Sequence, residues 1–178
     1  MKHLLLAAIL CALPLTVTAQ SETQTLVTAE DFHNFSITSQ QRETAAKAQL
    51  GKLSKPEVIA AIKDNLSDKT KIIYQEGYGV YIEYSAADGR DRMWFPGNRG
   101  IVTGIWDVQD KFWGPQACFH YYKSINAVTG EYENTECTSA AQIVGNSDVI
   151  DERSGDVFNL LSNSIPYTKK PLDIPAWP

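Results

Sequence analysis

The chain has 178 residues, with 16 Lys and Arg against 21 Asp and Glu and a formal net charge of −5. That length suits one domain around one core. An acidic surface without Lys/Arg clusters argues against nucleic acid, whose phosphates demand a basic footprint, and against anionic membrane surfaces.

Met1-Lys2-His3 precedes the apolar run Leu4 to Leu15, and Val17-Thr18-Ala19 places small or short residues where a signal peptidase reads. Residues 1–19 are therefore expected to be a signal peptide cleaved after Ala19, giving a periplasmic or extracellular protein. The apolar run falls short of the roughly 20 residues that a membrane span needs, and nothing later is as apolar for as long. The mature chain is not expected to span a membrane. Cys11 follows Leu10, not the small residue that a lipidation site wants. Loss of the leader leaves Cys118 and Cys137, and a pair of cysteines in an exported chain predicts one disulfide. With only His33 and His120 in support the two sulfurs make a poor zinc set, so no metal is assigned.

Residues 20–53 read as a polar leader. Thr28-Ala-Glu-Asp31 resembles a helix start, with a short helix through about Asn34, and 36–53 fits helix or loop. Ser54-Lys-Pro-Glu57 is a stronger start, with Val58, Ile59, Ala61 and Ile62 at helical spacing, and predicts a helix over 55–65.

From Lys69 the residues turn aromatic and β-branched, punctuated by glycine, as in strands and tight turns. Ile72 to Tyr74 and Val80 to Tyr84 read as strands. Asp88-Gly89 between alternating segments predicts a two-residue hairpin loop, pairing Tyr84 with Met93 and Ile82 with Phe95. One face would then carry Val80, Ile82, Tyr84, Met93 and Phe95 toward the core, and the other Tyr81, Glu83, Ser85, Arg92 and Trp94. Pro96-Gly-Asn98 is a turn and Ile101 to Val108 a third strand. Residues 119–123 and 131–137 read as a hairpin across 126–130, with Cys118 and Cys137 on one face but diagonal unless a bulge intervenes. Residues 142–144 suggest a last strand, Ser154-Gly-Asp156 caps a short helix through about Ser162, and the proline-rich 166–178 is an extended tail.

The expected fold is α+β, mainly β: an antiparallel meander of five to six strands forming a small curled sheet or partly open barrel, with short flanking helices. Residues 54–165 make the single β-rich domain. A flat meander backed by the 55–65 helix is the alternative.

No Gly-x-Ser-x-Gly elbow occurs, no catalytic residue is assigned, and no cofactor is implied. Asp88, Asp91, Asp107, Asp110, Glu131, Glu133 and Glu136 read as solvated carboxylates near turns and strand ends, and His120 as a packing residue. Asn34-Phe-Ser36 and Asn65-Leu-Ser67 match the glycosylation sequon. The aromatic residues stand out. Tyr81 and Trp94 among Glu83, Arg92 and Thr103 form a candidate binding face, and Phe112-Trp113-Gly114-Pro115 a second aromatic feature, with Trp113 as the candidate residue.

Met93-Trp-Phe-Pro-Gly-Asn98, Gly104-Ile-Trp106, Cys118-Phe-His-Tyr121, Glu136-Cys137 and Gly155-Asp-Val-Phe158, in that order, resemble small exported bacterial proteins of unknown-function families. The resemblance covers residues 75–165 and implies a periplasmic setting without an activity or transferable functional residues. The functional expectation is an exported binding or interaction module for a small molecule, glycan or protein. An envelope hydrolase using strand-end carboxylates, or a structural or inhibitory protein, is the alternative.

Overall fold

A computed structural model describes residues 28–122, 124–125, 132 and 135–178. The expected signal peptide, the polar segment through residue 27 and the 126–130 loop lie outside these residues. Seven antiparallel strands form one curled half-barrel sheet in the order β6-β5-β4-β3-β2-β1-β7. They are β1 (Lys69–Gln75), β2 (Gly79–Ser85), β3 (Arg90–Trp94), β4 (Val102–Lys111), β5 (Gly114–Tyr122), β6 (Thr135–Ser139) and β7 (Val149–Ser154). Three helices accompany them among the described residues: α1 (Ala29–Leu50), α2 (Lys55–Leu66) and α3 (Ala140–Val144). The expected class stands. β7 is the strand that the expectation lacked; it returns to pair with β1 and closes the order on that side.

Both expected helix starts are capping boxes. Thr28 and Asp31 exchange side-chain bonds with each other's backbone N–H, as do Ser54 and Glu57. α1, however, runs to Leu50 instead of stopping near Asn34. Its buried positions, Phe32, Phe35, Ser39, Ala46 and Leu50, recur at helical spacing. Arg42 continues the stripe by donating to the carbonyls of Ser147 (2.6 Å) and Val149 (3.2 Å) while lying over the Phe35 ring. Residues 142–144 also depart from expectation, because Ser139 and Gln142 form a third capping box and start α3 in place of the expected strand. In place of the short helix expected through about Ser162 stands a 3-10 turn at Leu160–Ser162, where the backbone N–H groups of Leu160 and Leu161 donate to the Asp156 carboxylate.

The β2–β3 hairpin corrects the expected register. Ala86 N–H donates to Arg90 O at 2.8 Å, so the loop is Ala87-Asp88-Gly89, one residue longer than expected, with Gly89 at φ 88°. Asp88 holds this bulged turn by accepting from the Arg90 backbone N–H. Trp106 pins it from β4: its backbone N–H donates to Gly89 O and its indole N–H to Ala86 O. The pairs become Ile82 with Trp94, Glu83 with Met93 and Ser85 with Asp91. A one-residue shift exchanges the faces of β3 relative to β2. Met93 and Phe95 therefore share a face with Tyr81 and Glu83, while Arg92 and Trp94 join Ile82 and Tyr84.

Both faces carry apolar packing. On the outer face Ile72, Val80, Ile82, Tyr84 and Trp94 pack with Phe32 and Phe35 of α1 and with Phe158 and Leu160. The extended tail covers part of this layer: Trp177 stacks on Phe158 at 5.3 Å and donates to Asp151 Oδ2 at 2.7 Å. Gly79 lets the tail close in, since at φ 85° it already needs glycine and a Cβ there would lie 2.3 Å from Pro171 O. On the inner face Val58, Ile62 and Leu66 of α2 pack with Met93, Phe95, Trp106, Phe119 and Tyr121. No helix among the described residues is long and apolar enough to cross a membrane.

Cys118 and Cys137 are directly opposite on β5 and β6 and form a disulfide, with Cα atoms 4.0 Å apart. The register changes between this pair and the Ile125–Tyr132 bridge beyond it, which is how the pair escapes the diagonal placement of a regular loop. Replacing both cysteines with serine should lower the unfolding free energy by about 3 kcal/mol while preserving the fold. Denaturant midpoints of the double variant and the oxidised parent check this, and equal midpoints would contradict it.

Candidate functional site

Three transverse rows of inner-face residues build the site. Ser85, Asp91, Gly104 and Tyr121 oppose one another on β2, β3, β4 and β5. Glu152, Lys71, Glu83, Met93 and Val102 form the next row, on β7, β1, β2, β3 and β4. Ile73 and Tyr81 oppose each other in the third, where Tyr81 stacks on Phe95 with ring centroids 4.7 Å apart. Gly104 is what lets the first row close, because a Cβ there would lie 2.8 Å from Tyr121 Cδ1 and 2.7 Å from His120 O.

A cavity of about 150 Å³ opens over these rows. Leu66, Tyr78, Phe95, Phe119 and Ile143 contribute apolar and aromatic wall, while Lys71, Glu83, Glu136 and Asp148 are its charged lining. Its mixture of mostly apolar wall and a few convergent polar groups is that of a small-molecule site.

Two buried carboxyls stand at the base of the cavity: Glu83 lines it, and Asp91 lies in the adjoining row. Glu83 is 8 % exposed and Asp91 0 %. Burial pushes Glu83 up to about 7, opposed by the Lys71 charge and by a hydrogen bond from Asp91. Burial and the Glu83 charge push Asp91 well above the usual carboxylate range. Two adjacent buried carboxylates resist ionising together, so the pair holds protons above the usual carboxylate range. Ser85 Oγ donates to Asp91 Oδ1 at 3.1 Å. Among the described residues, no backbone or side-chain donor reaches Glu83 Oε1 or Asp91 Oδ2.

Lys71 faces Glu83 in register but is held elsewhere. Its Nζ donates to Asn65 Oδ1 and, at 3.0 Å, to Asn146 Oδ1, and Glu152 Oε2 lies 3.9 Å away. Burial lowers its pKa to about 8 against the raising charges of Glu152 and Glu83. Burial also carries the Tyr81 and Tyr121 hydroxyls well above their ordinary value, so both keep their protons.

The expected binding residues are dispersed. Tyr81 and Glu83 line the cavity. Arg92 stands on the outer face, donating to Asn163 Oδ1 at 3.0 Å and to Asp91 O at 2.7 Å. Trp94, expected on a binding face, is instead 0 % exposed, edge-on to Phe158 and Tyr167, and its ring meets no solvent. Trp113 is 86 % exposed beside Phe112 at the β4–β5 turn, away from the cavity lining. Asp91, expected to be a solvated carboxylate, is fully buried. Lys71 and Tyr121 carry no signal in the sequence that marks them as site residues.

Fold and site together define a curled half-barrel with an aromatic-walled, carboxyl-floored cavity on its inner face. No family model, curated protein or solved structure matches the chain.

Proposed function

We propose that this chain is an exported binding protein, periplasmic or extracellular, that receives a small molecule in the half-barrel cavity. One observation carries the reading: an aromatic-walled cavity of about 150 Å³ is lined by the buried carboxyl of Glu83, whose Oε1 meets no backbone or side-chain donor among the described residues. A buried carboxylate left so poorly solvated costs free energy, and a ligand donor supplied there recovers it. The disulfide supports an oxidising compartment. A cavity of this size holds a benzene-sized body.

Calorimetric titration with neutral 2-phenylethanol tests the cavity. Val102→Phe, placing a ring in the lining, should abolish the heat of binding. Ile105→Phe, on the outer face of the same strand and 42 % exposed, should leave it intact. Equal binding by both variants, or none by the parent chain, would refute the cavity as the ligand site.

A second reading, proton-transfer catalysis such as hydrolysis, draws on Glu83 alone: a carboxyl at about 7 inside a cavity suits a general base near neutral pH. Turnover of small phenyl esters that disappears in Glu83→Gln would favour it over binding.

A further inference from the structure

We infer that the cavity selects a small organic cation, a compact apolar or aromatic body bearing one primary ammonium group, which docks on Glu83. This rests on the cavity being a ligand site and goes further by naming the ligand's charge and polar group. The lining holds three carboxyl side chains, Glu83, Glu136 and Asp148, against the single ammonium of Lys71. The Lys71 charge acts on Glu83 from the neighbouring strand, but its Nζ donates to Asn65 and Asn146 and lies near Glu152, so it leaves Glu83 Oε1 without a hydrogen bond. An ammonium docking beside Glu83 favours its charged form, and Ser85 Oγ, which donates to Asp91, leaves Glu83 Oε1 open to that donor. Glu83 is more than nine-tenths buried yet lines the cavity, so an entering N–H donor can meet it.

The walls favour the same charge. Tyr78, Tyr81, Phe95, Phe119 and Tyr121 surround the space, and ring faces attract an ammonium where they would repel an anion. An alcohol of the same shape gains the hydrophobic contacts and one neutral hydrogen bond. The amine adds a charge-assisted bond in a poorly solvated site, which is about twice as strong. A carboxylate ligand would bring a like charge against Glu83 and gain no such bond.

Isothermal titration of the full mature protein at neutral pH with 2-phenylethylamine, 2-phenylethanol and phenylacetate decides the matter. The amine should bind at least about tenfold more tightly than the alcohol, with phenylacetate weakest. In Glu83→Gln the amine should fall to the level of the alcohol while the alcohol is little changed. Alcohol binding equal to or tighter than amine binding in the parent chain overturns the cation inference and leaves the cavity reading intact. If none of the three binds, both fail. The ligand series on the unaltered chain discriminates these outcomes even if the variant does not fold, and an amine preference that persists in a folded Glu83→Gln overturns the assignment to Glu83.

Discussion

Trp94→Ala is expected to lower the unfolding free energy by about 3–5 kcal/mol, the range for emptying a buried aromatic site. Trp94 is fully buried at the centre of the outer layer, between Ile82, Phe158 and the tail residue Tyr167. Its removal leaves a void shared by the sheet, the 3-10 turn region and the tail, and the extended tail has little freedom to refill it while Val80 and Trp177 hold it on either side. Phe95→Ala, on the inner face and 9 % exposed, should cost a similar amount, because the register buries both rings on opposite sides of one strand. Urea denaturation of both variants checks this. A Trp94→Ala loss under about 1 kcal/mol, with Phe95→Ala damaging, would restore the two-residue turn and reject the bulged register.

The second large effect is a stability minimum near neutral pH. Glu83, raised from 4.5 to about 7, holds its proton more tightly in the folded chain than in the unfolded one. Its contribution is therefore present below about 4.5 and lost as pH rises through 7, a fall of roughly 3 kcal/mol at about 1.4 kcal/mol per pH unit. Asp91, also raised, adds loss in the same direction. Lys71 and Lys169 run the other way: each is lowered from 10.5 to about 8, so the unfolded chain binds the proton that the folded chain gives up, and stability climbs between about 8 and 10.5. The lowered carboxyls of Glu57 and Asp88 act only below their ordinary range and do not fill the dip. Denaturant midpoints at about pH 5, 7.5 and 10 should trace a valley, and Glu83→Gln should flatten its acid side while leaving the alkaline side. Stability rising steadily from pH 5 to 7.5 would contradict the raised, buried pair.

Local chemistry made much of the architecture legible. The capping boxes at Thr28 and Ser54 involve residues three apart, so no distant part of the chain is needed to form them. Alternation along β2 and the Cys118–Cys137 pairing on one sheet face were likewise written in short segments. The Ser139–Gln142 box was equally local, but the apolar and amide residues after it also satisfied a strand pattern. α1 hid its length because Ser39, Arg42 and Ala46 continue the stripe of Phe32 and Phe35 without large apolar side chains, and Arg42 is held there by carbonyls more than a hundred residues away.

What the sequence by itself determined is the set of elements whose signals lie within a few residues: two helix starts, a β meander, an Asp-Gly turn, a cysteine pair. What only the tertiary structure decided is which faces meet. The Asp88-Gly89 turn has two solutions differing by one residue, and the choice is made by Trp106, which binds the loop carbonyls from the next strand. That choice sends Trp94 into the outer core and lines up Ser85, Asp91, Gly104 and Tyr121 beside Lys71 and Glu83. Glu83 and Asp91 hold their protons above the usual carboxylate range because the assembled fold removes them from water. Burial is a property of the assembled fold, and with it comes the chemistry of the cavity.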